Sequence, residues 1–94
     1  MKHKSRATRF NEAQLKLMQA QSLMEQSMDE IEGLKDELQD WLDNMPDSLQ
    51  GGEKSDQLEE AISALEDAHM QIEETKDQID EPMQADVEFP GMFG

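Results

Sequence analysis

This 94-residue sequence predicts an all-α fold: an antiparallel two-helix hairpin of coiled-coil character. Three observations predict it. Large apolar residues recur every seven positions through two separate stretches, a period that belongs to packed helices and not to strands. A short segment holding Pro46 and the Gly51-Gly52 pair separates those stretches, as a chain reversal requires. Hydrophobic residues make up only 35% of the chain, below the roughly 45–50% of an ordinary globular domain. A thick central core is therefore ruled out, and a single domain built on a thin seam remains.

In chain order, residues 1–9 form a basic arm, expected to be flexible, holding Lys2, Lys4, Arg6 and Arg9, half of the eight basic residues. Helix 1 is expected over about 8–44, a stretch with no Pro and one Gly. Phe10, Leu17, Met24, Ile31, Leu38 and Met45 form its first seam column. Three residues after these come Ala13, Ala20, Ser27, Leu34 and Trp41, read as the second column. Trp41 then anchors the hairpin near its bend at 45–54. Helix 2, over about 55–80, repeats the scheme with Leu58, Leu65, Ile72 and Ile79, followed by Ala61, Ala68 and Thr75. The small residues suit close antiparallel approach of the two axes. Ser55 is read as its N-cap, with Asp56 and Glu59 in the first turn.

The arms are unequal. Folding back at the bend sets Leu38 against Ile62 and Ile31 against His69, and leaves the first three turns of helix 1 overhanging with Phe10, Leu15, Leu17 and Met18. The tail, 81–94, is acidic and then apolar, ending F-P-G-M-F-G. Its Val87, Phe89, Met92 and Phe93 either cover the overhang or meet another chain. Leu15, Met18, Leu23, Met28, Leu42 and Ile62 lie off the two columns and widen the apolar face. A dimer closing into a four-helix bundle would cover them, because a two-helix core of this size rarely suffices alone.

Chemistry-bearing motifs are thin, and an enzyme is not expected. Gly51-Gly52-Glu53-Lys54-Ser55 ends like a phosphate loop but lacks the upstream glycine spacing and a preceding strand. Residues 43–54 start like a calcium loop, yet Ser48 and Lys54 stand where Gly and Glu are needed. Glu66 and His69 form an E-x-x-H off the seam, where metal ligands would have to point inward. No cofactor or metal is expected. With no Cys, disulfides and thiolate chemistry are absent, as suits a reducing cytoplasm. No apolar run reaches the roughly 18 residues of a membrane span, so neither a membrane role nor a secreted one is expected.

Within this frame the bend carries a resemblance. Asp36–Ala68 resembles a group of small acidic proteins of bacteriophages and mobile elements, which share D-N-x-P-x-x-L-Q at a hairpin bend, E-K or E-R after it, and L-E-E-A-x-x-x-L-E-x-A on the second helix. Here those are Asp43, Asn44, Pro46, Leu49, Gln50, Glu53, Lys54 and Leu58–Ala68. The resemblance covers about a third of the chain and implies a phage source and a helical hairpin rather than a specific activity.

Charge points to a partner. Asp and Glu number 23 against eight Lys and Arg, a net charge of -15, which disfavours nucleic acid and anionic membranes and favours a cationic protein. Rows of carboxylates about 5–6 Å apart on a helix face can imitate a phosphate backbone. Candidate partner-binding residues are Asp36, Asp40 and Asp43 on helix 1, Glu59, Glu66 and Glu73 on helix 2, and the apolar tail residues Val87, Phe89, Met92 and Phe93. The expected function is a non-enzymatic binding module that engages a basic host or phage protein, in the manner of a DNA-mimic inhibitor. The alternatives are a scaffold forming helical oligomers and a nucleic-acid accessory protein using the basic arm.

Overall fold

A computed structural model describes residues 4–90 and shows an all-helical hairpin, 83% helix with no strand among the described residues. Helix α1 runs Arg6–Asp43, α2 Glu53–Gln78 and a short α3 Asp80–Gln84, with a 3₁₀ turn at Asp47–Leu49 between α1 and α2. The molecule is a rod measuring 78 × 23 × 15 Å. Ser5 caps α1, its Oγ accepting from the Thr8 amide at 3.1 Å. Arg6–Arg9 therefore belong to the first helical turns instead of a flexible arm, and residues 1–3 lie outside the described residues.

The bend follows from its residue types. Asn44 closes α1 twice, with its backbone amide (3.0 Å) and Nδ2 (2.7 Å) both donating to the Asp40 carbonyl. Pro46 has no N–H to extend the helix. The Leu49 amide donates to the Pro46 carbonyl at 2.9 Å, and Gln50 Nε2 ties back to the Met45 carbonyl at 3.1 Å. Gly51 sits at φ +81°, a left-handed conformation that a Cβ disfavours. Gly52, not Ser55, caps α2, which starts two residues earlier than its sequence suggests. Ser55 is buried in the seam instead.

The seam keeps one expected column in each helix and replaces the other. Phe10, Leu17, Met24, Ile31, Leu38 and Met45 all face inward. Their companions lie four residues on, at Gln14, Gln21, Met28, Lys35 and Leu42, while Ala13, Ser27, Leu34 and Trp41 are exposed. Helix α2 shifts in the same sense: Leu58, Leu65 and Ile72 pair with Ile62, His69 and Lys76, Ile79 and Met83 of α3 continue the two lines, and Ala61 and Ala68 stay half-buried at the edge. Trp41 is 52% exposed and so is no core anchor. Of the small residues, Ala20, Ala61 and Ala68 are half-buried at the edge of the seam, while Ala13, Ser27 and Thr75 are exposed. Buried apolar residues are Met45, Leu58 and Ile62, all near the bend.

Further from the bend, polar groups hold the register. Gln21 Nε2 donates to the Lys76 carbonyl (3.1 Å) and to Asp80 Oδ1 (2.6 Å), and Lys76 Nζ lies 3.4 Å from Glu25 Oε1. Pro82 cannot donate to the Gln78 carbonyl, which fits the break between α2 and α3. The chain then turns onto the overhang. Gln14 Nε2 donates to the Ala85 (2.7 Å) and Pro82 (3.2 Å) carbonyls, and the Phe89 ring meets Phe10 edge-on, centroids 5.9 Å apart. Of the two tail arrangements that the sequence allowed, the intramolecular one is present for residues up to Pro90.

Candidate protein-interaction surface

Shifting the second column by one residue sorts the surface into two unlike sides. Glu59, Glu66 and Glu73 stand seven residues apart on α2, about 10.5 Å per step at 1.5 Å per residue. They lie on the side to which Glu25 and Glu32 of α1 also project. Glu32 Oε2 approaches His69 Nε2 to 3.9 Å, Glu73 approaches its Nδ1 to 3.9 Å, and Asp43 and Glu59 line one groove by the bend. Lys35 Nζ lies 3.2 Å from Glu32 Oε1. That contact holds the ammonium above its ordinary range, partly opposed by desolvation and reinforced by the charges of Glu32, Glu66 and Asp36.

Five of the six carboxylates expected to bind a partner thus gather on one side: Asp36, Asp43, Glu59, Glu66 and Glu73. Asp40 is the exception. It lies with Glu37 on the rim of a groove of about 820 Å³ floored by Trp41, Met45, Pro46 and Leu49. Lys54 Nζ stands 5.7 Å from the centroid of the Trp41 ring.

The opposite side is free of carboxylates on α2 and mixed on α1. On α2 it presents Gln57, Ala61, Ala64, Ala68, Gln71, Thr75 and Gln78, and every carboxylate of 53–84 falls elsewhere on the helix. On α1 it presents Ala20, Ser27 and the exposed Leu23, Leu34 and Trp41, with Lys16, Glu30 and Glu37 on the same line as Leu23. An open groove between Met24, Ala68, Ile72 and Thr75 runs along it. Periodicity analysis of apolar residues misses this side, because its mark is where carboxylates are excluded.

The apolar tail divides. Val87 is exposed, whereas Phe89 is half-buried against Phe10; Met92 and Phe93 lie outside the described residues. In the basic arm, Lys4 is engaged by Glu12 at 2.7 Å. Among the described residues no group of three or more His, Asp and Glu is placed to hold a metal ion, and no helix is long and apolar enough to cross a membrane. No family model, curated protein or solved structure matches this chain.

Proposed function

We propose that the chain is a non-enzymatic, cytoplasmic, phage-encoded protein-binding rod whose carboxylate side engages a cationic surface on another protein. The observation that carries this reading is the gathering of Asp36, Asp43, Glu59, Glu66 and Glu73 on one side of the hairpin, with the opposite face of α2 free of carboxylates. The bend's resemblance to small acidic phage proteins agrees with it. Magnitude limits the DNA-mimic version. Spread along the 78 Å rod, the net charge amounts to roughly 5 Å per negative charge, against about 1.7 Å in duplex DNA. Charge at that density speeds encounter, and it is screened beyond about 8 Å at physiological ionic strength. Lasting attachment then needs apolar contact, for which the exposed Val87 is available and Phe89, already packed on Phe10, is not.

The test is capture of basic proteins from host lysate at low and high salt, with the parent and with Glu59→Gln, Glu66→Gln, Glu73→Gln combined as bait. A basic protein held by the parent, released by salt and lost by the triple variant is the expected result. Equal capture by both baits defeats the proposal.

A second reading, a self-assembling scaffold whose hairpins pair into four-helix bundles, is favoured by one observation. Met45, Leu58 and Ile62 are the buried apolar residues, while Leu23, Leu34 and Trp41 stay exposed.

A further inference from the structure

We infer that the side built on the carboxylate-free face of α2, with Leu34 and Trp41 of α1 beside it, hereafter the neutral side, is a self-association surface on which a second copy of this chain docks back to back, leaving both carboxylate sides outward. The inference rests on the self-association reading above and supplies what that reading lacks, the face and its chemistry.

Charge selects the occupant. Two copies at -15 each repel wherever their carboxylates meet. Columns 57, 61, 64, 68, 71, 75 and 78 of α2 carry no acid at all, in a helix that is otherwise densely acidic. A cationic partner would gain nothing from such a face, whereas a second neutral face fits it. Side-chain size agrees. Ala61, Ala64 and Ala68 let a facing helix approach closely, and the exposed Leu23, Leu34 and Trp41 provide the apolar area that such contact would remove from water. Area agrees as well. The 26-residue α2 is about 39 Å long, and two helices side by side are about 20 Å wide. That face offers at most about 800 Å² per copy, the per-partner area of a standard stable interface.

Both proposed surfaces can operate at once, because they are opposite sides of one slab. The pair would then offer two carboxylate faces to two cationic partners, or to one partner with repeated basic sites. Salt separates the two associations by sign. Screening weakens attachment to a cationic protein but strengthens pairing of two anionic chains.

Sedimentation equilibrium from low to high micromolar concentration tests the inference, with the emission of the one Trp, Trp41, followed in parallel. The expected result is a monomer–dimer equilibrium that tightens as salt is added, with Trp41 emission moving to shorter wavelength as dimer forms. Leu34→Glu with Ala64→Glu changes two exposed positions on the neutral side. Far-UV circular dichroism should show retained helix, and the dimer dissociation constant should rise at least tenfold. Ser63→Glu, one residue away on the acidic side, should leave the dimer in place. A parent that stays monomeric throughout defeats self-association itself. A dimer that survives Leu34→Glu with Ala64→Glu, or is lost with Ser63→Glu, overturns the assignment of the face alone.

Discussion

Truncating Ile62 to Ala should destabilise the hairpin far more than truncating Trp41, although Trp41 is the larger side chain. Ile62 is 9% exposed and belongs to the seam, whereas Trp41 is 52% exposed on its flank. Ile62→Ala removes three buried carbons, worth about 0.8 kcal/mol each, so about 2 kcal/mol is lost before any cavity contribution. A thin core can partly collapse onto the gap, which keeps the total near the low end of the roughly 2–5 kcal/mol range for such truncations. Trp41→Ala loses half-exposed area and a contact with Lys54 of about 0.5 kcal/mol. It gains helix propensity of similar size, leaving a net change of about 1 kcal/mol or less. The assay is urea unfolding followed by circular dichroism at low micromolar concentration, where association contributes little. With a urea slope of about 1 kcal/mol per molar, the Ile62→Ala midpoint should fall by about 2 M and that of Trp41→Ala by less than half as much. A larger fall for Trp41→Ala would restore the residue three places along as the second seam column and refute the packing described above.

Two further outcomes follow from the bend and the tail. Gly51→Ala should lower stability by about 1 kcal/mol through backbone conformation alone, since φ is +81° and nothing lies within 4 Å of the added Cβ; an unchanged urea midpoint would contradict the turn geometry. Phe10→Ala should release the chain after α3, so that limited proteolysis cuts within 85–90 faster while amide exchange in α2 is unaltered; unchanged cleavage would mean that the Phe10–Phe89 contact does not hold the tail.

The architecture and the pairing of its arms are legible in the sequence. Ile31 comes opposite His69, as the bend position alone requires, and Glu32 meets that same His69. The second seam column is where the reading fails. A heptad column fixes one line along a helix, and its companion can lie three or four residues on. Within α1, hydrophobicity favours the first choice, since Leu34 and Trp41 are more apolar than Gln21 and Lys35. The structure adopts the second, which buries Ile62 in place of Ala61 and gives Gln21 and Lys76 partners on the other helix. Those pairings exist only once two helices are set side by side, so neither helix sequence displays them alone. Asp40 lies beside Trp41 instead of in line with Asp36 and Asp43. Glu59, Glu66 and Glu73 share one line of α2 under either phase.

The fold of the tail onto α1 settles where the chain can be tethered. Phe89 returns to Phe10, so the first and last of the described residues lie at one pole of the rod and the bend occupies the other. Anything joined to either end therefore sits at the same pole. A hairpin moored by an end projects its bend outward over most of the 78 Å length, like a boom swung from a single post. Mooring at that pole leaves the bend clear, which makes the groove between Asp43 and Glu59 the part of the molecule best able to reach across a gap.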